Sequence, residues 1–154
     1  MVEPGRVIAI SLSDCRGIPK SNVSEAMLKT DWGLVGDAHA GPWHRQVSLL
    51  ALESIDKIRA LGLVEVQPGD FAENITTSGI DLLSLRIGHR VRIAQAELEI
   101  TQIGKECHTR CAIYAQVGDC VMPREGLFAR VTKGGTIRID DPVVGLSDPL
   151  PPEN

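Results

Sequence analysis

Aromatic residues are scarce in this sequence, which has two Trp, one Tyr and two Phe among 154 residues. Val, Ile and Leu must therefore supply most of the core, and these aliphatic side chains suit strands. The sequence also lacks an apolar run of membrane-spanning length, and its N-terminus lacks the pattern of a secretory signal. These absences favour a cytoplasmic protein with no membrane segment.

An excess of basic residues is missing as well. Sixteen Lys and Arg stand against twenty Asp and Glu, which gives a formal net charge of −4. Nucleic acids and anionic membranes attract basic surfaces, so we expect neither as a partner. The four cysteines of a chain in a reducing compartment are expected to be thiols, metal ligands or nucleophiles rather than disulfides.

Short β-branched runs separated by Gly and Pro predict a mainly β protein, an open or closed barrel with two or three short helices. We expect one domain over residues 1–146 and a flexible Pro-rich tail over 147–154. Alternation predicts strands, and helical spacing with Gly stop signals predicts helices. The predicted strands cover 6–13, 45–50, 89–95, 97–103 and 136–144, and the predicted helices cover 52–61 and 125–133.

The stretch GLVGDAHAGPWHRQVSLL, residues 33–50, places His39, His44 and Arg45 just before a predicted strand. Its glycines allow a folded loop that presents these side chains to a ligand. Polar side chains are equally common in ordinary surface loops. The sequence does not decide whether the two histidines face a pocket or solvent.

The stretch GDFAENITTSGIDLLSL, residues 69–85, follows a Gly-Asp turn with Asn74, Thr76 and Thr77. Amide and hydroxyl groups in this arrangement offer hydrogen bonds to an anionic or heteroaromatic ligand. The same groups are used in many proteins to satisfy their own turn. Taken alone, neither Gly-Asp stretch identifies a site.

The densest cluster of reactive side chains is GKECHTRCAI, residues 104–113, directly after the predicted strand 97–103. Cys107 is surrounded there by Lys105, His108 and Arg110. Cations near a thiol stabilise the thiolate, which is the form needed for metal ligation or persulfide transfer. The same cations suit an anionic cofactor, because Arg binds phosphate in a bidentate manner.

Zinc is the main alternative reading of this segment, since four potential soft ligands follow one another in the sequence. The spacing C-H-x2-C-x8-C lacks the C-x2-C pair of common structural zinc sites. Outside the cluster, single cysteines read as buried, inert thiols. The zinc candidates are Cys107, His108, Cys111 and Cys120, and the inert-thiol candidates are Cys15 and Cys120.

Four stretches in this order make the sequence resemble a MOSC domain, the module named after the C-terminal part of molybdenum cofactor sulfurases. They are the two Gly-Asp stretches above, with the second continued to RIGHRVRI, then ITQIGKECHTRCAI and GLFARVTKGGTIRIDDPV. The resemblance covers nearly the whole chain and is closest to the short bacterial standalone members.

The resemblance implies a β-barrel-like fold and a molybdenum cofactor, or molybdopterin, as ligand. It further implies that Cys107 is the catalytic cysteine, acting as a molybdenum ligand or as a carrier of persulfide sulfur. A cofactor-biosynthesis protein or a cysteine desulfurase is the implied partner, and pyridoxal phosphate is not expected in this domain. The cofactor-binding positions that match, together with the nearby cation, are Arg45, Asn74, Thr76, Lys105 and Arg110.

Several functions remain open at this point. The chain is either a cofactor-binding or sulfur-transferring protein, or a molybdoenzyme that reduces N-hydroxylated substrates with an external electron donor. A non-catalytic zinc or interaction module is a further alternative. Cys111, four residues after Cys107, is a candidate partner for a disulfide or for resolving a persulfide.

Overall fold

A computed structural model describes residues 4–14, 20–62, 65–104 and 125–146 of the chain. The fold is mainly β, with one α-helix and one 3-10 helix in these ranges. The strands are β1 (Gly5–Leu12), β2 (Ser21–Val23), β3 (Glu25–Lys29), β4 (Gly33–Leu34), β5 (Val47–Ala51), β6 (Ile75–Ser78), β7 (Arg90–Ile93), β8 (Ala96–Ile103), β9 (Leu127–Lys133), β10 (Gly135–Arg138) and β11 (Pro142–Gly145). The helices are α1 (Leu52–Ala60) and the 3-10 helix Leu82–Ser84.

Seven strands close into a barrel in the order β11-β7-β8-β9-β5-β6-β1, because β1 also pairs with β11. β2 extends the sheet beside β1. Every neighbouring pair is antiparallel except β5 and β6, which run parallel. A parallel pair needs a crossover connection, and α1 lies within the one that joins these two strands. The predicted β-barrel-like fold is confirmed.

A second, smaller sheet pairs β3 with β10 on one side and with β4 on the other. It contributes Leu28, Leu34 and Ile137 to the main core. The chain leaves this sheet through a loop, residues 35–46, that leads from β4 into β5. That loop forms the middle of the first Gly-Asp stretch and contains both histidines named above.

The barrel interior is filled by aliphatic side chains. In the hairpin of β7 and β8, Val91, Ile93, Leu98 and Ile100 are buried in this core. Arg and Glu residues alternate with them on the outer face, as the period of two predicts. The predicted strands 89–95 and 97–103 therefore correspond to β7 and β8 of one hairpin, which has one face in the core and one polar face.

Apolar side chains also point outwards from the barrel beneath α1. Leu50 of β5 and Phe128 of β9 pack there against Ile55 and Ile58 of the helix, in a cluster separate from the interior. The predicted helix 52–61 is confirmed within one residue. Gly62 has a φ of 120° at its C-terminal end, a conformation that favours glycine.

The prediction of a helix over 125–133 is wrong. Residues Leu127–Lys133 form β9, which lies between β8 and β5 in the barrel. Leu127, Ala129 and Val131 point inwards, while Phe128 packs under α1. Both faces of the strand's first half are buried, so consecutive residues are apolar. The alternation of apolar and polar residues that identifies a strand is therefore missing there.

The prediction of one strand over 136–144 is also wrong. The segment forms β10 in the small sheet and β11 in the barrel. Asp140 has a φ of 72° in the turn between them. The Asp141 carboxylate accepts a hydrogen bond from the Arg138 backbone N–H at 2.7 Å, so an aspartate turn separates the strands.

In the described residues, no helix has the length and hydropathy needed to span a membrane. The predicted tail, 147–154, lies outside these residues, and its flexibility stays a prediction.

Candidate functional site

Arg45 lies at the end of the loop that enters β5, half-buried on the outside of the barrel. Its guanidinium carbon stands 5.2 Å from the centre of the Phe128 ring. Its Nε donates to Gln102 Oε1 at 3.0 Å, and no carboxylate pairs with it within the described ranges. Among the described residues neither Nη group has a hydrogen-bond partner, while Nε and the ring fix the plane of the guanidinium.

Gln102 connects Arg45 to the end of β8. The same Oε1 lies 3.0 Å from Nε2 of His44, and the Gln102 amide donates to the Gly104 carbonyl at 2.7 Å. The Thr101 hydroxyl adds a short hydrogen bond to the His44 carbonyl. The loop before β5 is thereby fixed to the strand that leads into the cysteine cluster.

Asn74 is fully buried at the start of β6. Its Oδ1 accepts hydrogen bonds from the backbone N–H and the hydroxyl of Ser48, at 3.0 and 3.2 Å. Its Nδ2 donates to the Ser11 carbonyl at 3.2 Å. Asn74 thus joins three neighbouring strands, and these contacts engage its amide within the protein.

Thr76 is fully buried as well, and its hydroxyl donates to Glu73 Oε2 at 3.1 Å. The other carboxylate oxygen of Glu73 accepts from the backbone N–H groups of Gly69 and Phe71, at 2.8 and 3.3 Å. Burial raises the pKa of Glu73 to about 7, although these hydrogen bonds oppose the shift. The second Gly-Asp stretch therefore folds around an internal carboxylate.

Lys20 forms the centre of a second charged group. Its ammonium donates to Asp37 Oδ1 at 2.7 Å and lies 3.0 Å from His39 Nδ1. The side chains of Lys20 and Asp37 are 1% and 0% exposed, whereas that of His39 is 24% exposed. A buried lysine that contacts both an acid and an imidazole is an arrangement that ordinary surface loops do not contain.

Asp37 organises the backbone around this group. It accepts the backbone N–H of Ser13 on Oδ1 and that of His39 on Oδ2, both at 3.1 Å. Burial alone would raise the pKa of Asp37, but hydrogen bonds from Lys20, Ser13 and Asn74 and the charge of Lys20 lower it below its ordinary value. Asp37 is therefore ionised at neutral pH.

The structure brings Arg45, Asn74 and Thr76 to one side of the barrel, on and beside the parallel pair β5 and β6. Their role in binding a cofactor stays a prediction. The remaining predicted site residues, Cys107, Lys105 and Arg110, lie outside the described residues. The other cysteine-segment candidates lie there too, namely Cys15, His108, Cys111 and Cys120.

Lys20, Glu73 and Gln102 were not among the sequence candidates. Each acts through a partner at least three positions away: Lys20 contacts Asp37, Glu73 contacts Thr76, and Gln102 contacts Arg45. The one sequence feature that could have indicated buried charges is the presence of an acidic residue in each Gly-Asp stretch. In the ranges that the structure describes, no group of three His, Cys, Asp or Glu residues is placed to hold a metal ion.

The described residues form a closed β-barrel with polar side chains buried on the outer face of β5 and β6. Residues 36–144 match the family model of the MOSC domain. This match covers most of the chain, and the chain belongs to the MOSC domain family. The resemblance seen in the sequence is confirmed.

Solved structures agree with this assignment at the level of the fold. The YuaD protein of Bacillus subtilis is 18% identical with a TM-score of 0.76, and the match covers 90% of this chain and 93% of that one. YiiM of Geobacillus stearothermophilus is 18% identical with a TM-score of 0.70, over 94% of this chain and 76% of that one. YiiM of Escherichia coli is 20% identical with a TM-score of 0.64, over 93% and 70%. Among curated proteins, none matches this sequence.

Proposed function

We propose that this protein binds the molybdenum cofactor on the outer face of the barrel beside Arg45, with Cys107 as the molybdenum ligand or as a carrier of sulfur for the cofactor. Membership of the MOSC domain family supports the cofactor class. The observation that carries the proposal is the geometry of Arg45, which is fixed by Gln102 and Phe128 while its Nη groups have no hydrogen-bond partner among the described residues.

Arg45 suits the phosphate of a pterin cofactor. A guanidinium whose Nε is already anchored loses little further conformational freedom when its Nη groups bind two phosphate oxygens. The Phe128 ring beneath it excludes water from one face, which strengthens the interaction with an anion. The residues present therefore fit an anionic group at this position.

The link from Arg45 to Cys107 runs through Gln102 and Gly104. Gln102 contacts Arg45 with one side-chain atom and the Gly104 carbonyl with another. Three residues of polypeptide extend at most about 10 Å. A cofactor whose phosphate is held by Arg45 is thus within reach of a sulfur atom three residues after Gly104.

Asn74 and Thr76 stabilise the strands that carry this site and do not contact the ligand directly. Their side chains already bond Ser48, Ser11 and Glu73, and so they fix the strands on which the ligand rests. The molybdenum cofactor supplies redox chemistry at the metal when it is bound. The thiolate of Cys107 is the soft ligand that such a metal or a sulfane sulfur requires.

The test is metal and pterin analysis of the full-length protein purified from cells that make the cofactor. We expect molybdenum and the fluorescent oxidation product of the pterin to copurify with the wild type. Arg45→Gln should lower both pterin and molybdenum, whereas Cys107→Ser should lower molybdenum or abolish a persulfide that mass spectrometry detects on the wild type.

Arg92→Gln is the matched control, because Arg92 is exposed on β7 and pairs in register with Glu97. Cys111→Ser controls for the loss of any nearby thiol. A wild-type protein that contains neither pterin nor molybdenum, and takes up neither when they are supplied, would refute the proposal. Stoichiometric zinc would favour the structural zinc alternative instead.

A further inference from the structure

The partners of the Gln102 side-chain amide allow it a single orientation. Its Nε2 donates to the Gly104 carbonyl at 2.7 Å, and its Oε1 lies 3.0 Å from Arg45 Nε. A carbonyl only accepts hydrogen bonds, and a guanidinium only donates them. Exchanging the amide nitrogen and oxygen would break both contacts, so Oε1 is the atom that faces Arg45.

This oxygen also determines where the imidazole of His44 carries its hydrogen. Oε1 lies 3.0 Å from His44 Nε2 and can only accept, so Nε2 must donate. A carbonyl oxygen has two lone pairs, and Oε1 therefore accepts from His44 and Arg45 together. The neutral imidazole carries its hydrogen on Nε2, and Nδ1 is its basic nitrogen.

The side chain of His44 is exposed, and its Nδ1 has no hydrogen-bond partner among the described residues. The residue is held from two further sides. Trp43 contacts its ring edge-on with 5.8 Å between the ring centres, and the Thr101 hydroxyl bonds its carbonyl. A proton added at Nδ1 leaves the hydrogen bond from Nε2 to Gln102 intact. His44 can thus change its charge while its ring stays in place.

A protonated His44 carries its charge close to Arg45. Nε2 of His44 and Nε of Arg45 each lie 3.0 Å from the same oxygen, so these two nitrogens are at most 6.0 Å apart. This distance is shorter than the Debye length of about 8 Å at physiological ionic strength. An imidazolium spreads its charge over the ring, and its attraction for an anion at Arg45 therefore does not require a direct contact.

The main charged groups on the elements around His44 are paired with one another. On β8 and β9, Glu99 and Arg130 bond each other at 2.9 Å. In the loop, the Asp37 carboxylate binds the Lys20 ammonium at 2.7 Å. No acidic residue forms an ion pair with His44 in the described ranges. The remaining charged or titratable groups on these elements are His39, Arg45, Glu97 and Lys133.

We propose that His44 is a second, pH-dependent cationic group of the Arg45 site, which raises the affinity of the site for an anion when Nδ1 is protonated. The position of the anion in this inference rests on the proposed function. Histidine is the side chain that ordinarily changes its charge between about pH 5 and pH 8, so the site binds anions more tightly at the acid end of this range. Gln102 holds both groups through one oxygen.

Sulfate is the probe for this effect, because it keeps the same charge from pH 5.5 to pH 8, whereas inorganic phosphate does not. Calorimetric titration of the full-length, cofactor-free protein at low ionic strength should give about fivefold tighter binding at pH 5.5 than at pH 8, the upper range for one exposed charge pair. In His44→Gln this ratio should fall to about one, because the new amide can donate to Gln102 but takes up no proton.

His89→Gln is the matched control. Nδ1 of His89 accepts from the Arg86 backbone N–H at 2.9 Å, and its ring bonds neither Arg45 nor Gln102. The fivefold ratio should be retained in this variant. A ratio that stays fivefold in His44→Gln would assign the pH dependence to another group and would overturn the inference.

Thermodynamic linkage provides a second measurement, on the ring itself. If protonation of His44 favours sulfate about fivefold, sulfate must favour protonation of His44 by the same factor. Proton–nitrogen NMR of the histidine rings follows this proton uptake across the pH range, and at pH 8 it also identifies the nitrogen that carries the hydrogen. A neutral His44 with its hydrogen on Nδ1, or a protonation that bound sulfate leaves unchanged, would refute the role of His44.

The outcomes separate this inference from the proposed function. If Arg45→Gln weakens sulfate binding and the wild-type affinity is equal at both pH values, the Arg45 site stands and the role of His44 is refuted. If the wild type binds no sulfate at either pH, Arg45 is not an anion site, and the inference fails together with the part of the proposed function that depends on Arg45.

Discussion

The inner and outer faces of the same barrel strands are built from different chemistry. Ile75 of β6 points into an aliphatic core, whereas Thr76, the next residue, points outwards to the carboxylate of Glu73. Leu49 and Ser48 of β5 show the same contrast, with Ser48 bonded to Asn74. Both layers are buried, so burial alone does not separate a core position from a site position in this fold. The inner layer depends on volume, and the outer layer depends on the pairing of charges and hydrogen bonds.

The largest effect is expected from breaking the outer layer at Lys20. Lys20→Met leaves the buried Asp37 carboxylate unpaired and should lower the free energy of unfolding by about 3–5 kcal/mol at pH 7. The pKa of Asp37 is lowered in the folded protein, so the stability that Asp37 contributes is present above its unfolded pKa and is lost as the pH falls through its folded pKa. The effect of the mutation should therefore shrink once the pH falls below 3.8, and urea unfolding at pH 7 and pH 3 measures both values.

Arg138→Gln is the matched control for this experiment. Arg138 pairs with Glu25 at 3.0 Å, but both side chains are more than half exposed. Exposed ion pairs contribute little to stability, so no resolvable change is expected. Equal effects of the two mutations would contradict the distinction between a buried and an exposed charge.

The inner layer should respond differently to the removal of one of its side chains. Leu98→Ala leaves a cavity in the barrel and should cost about 3 kcal/mol, a loss that is independent of pH because no charge is involved. Urea unfolding at the same two pH values tests this expectation. A strong pH dependence of the Leu98→Ala effect would show that the two layers are coupled.

The inner layer was the part of the fold that the sequence predicted well. Alternation predicted strands at β7 and β8, where Val91 and Leu98 are buried in the core, and helical spacing predicted α1, whose Ile55 and Ile58 pack against the outside of the barrel. The prediction failed at β9, because its apolar residues are buried on both faces and mimic a helix. Apolar periodicity identifies a strand when one of its faces is exposed to solvent. It does not do so when both faces are buried.

The outer layer was predicted only in part. Arg45 was selected because its position matches the family that the sequence resembles, and its role in binding a cofactor stays a prediction. Lys20 and Asp37 are 17 positions apart, and the neighbourhood of Lys20 has no periodic pattern. A lysine can be buried only where the folded chain places a carboxylate beside it, and sequence spacing does not predict such a long-range contact. Asn74 and Thr76 were chosen for ligand contact, but the structure gives their side chains partners inside the protein.

Glu73 allows the outer layer to be examined through its pH dependence. The pKa of Glu73 rises from 4.5 to about 7 on folding, so the folded protein binds the proton more tightly than the unfolded chain. Stability from this group is fully present below pH 4.5 and is lost as the pH rises through 7. The loss amounts to about 3 kcal/mol between these limits.

Glu73→Gln should remove this dependence. Its amide group keeps an acceptor for Gly69 and Phe71 and presents a donor to the Thr76 hydroxyl. The difference in unfolding free energy between mutant and wild type should therefore grow in favour of the mutant from pH 4 to pH 8, which urea titrations across this range would follow. Glu25→Gln, at an exposed position, should show no such trend. Parallel curves for Glu73→Gln and the wild type would mean that folding does not raise the pKa of Glu73.

The smallest expected effect comes from an exception to the contrast between the layers. Thr77 shares the inward face of β6 with Ile75, is fully buried, and its hydroxyl has no hydrogen-bond partner in the part of the chain that the structure describes. A buried hydroxyl without a partner is unfavourable, and Val has nearly the same shape. Thr77→Val should therefore stabilise the protein by about 1 kcal/mol in urea unfolding. Thr76→Val, one residue earlier, should destabilise it, because Glu73 loses a donor that it needs. Opposite signs for the two substitutions would show that adjacent residues of β6 belong to different layers. A destabilised Thr77→Val protein would show instead that the Thr77 hydroxyl has a partner.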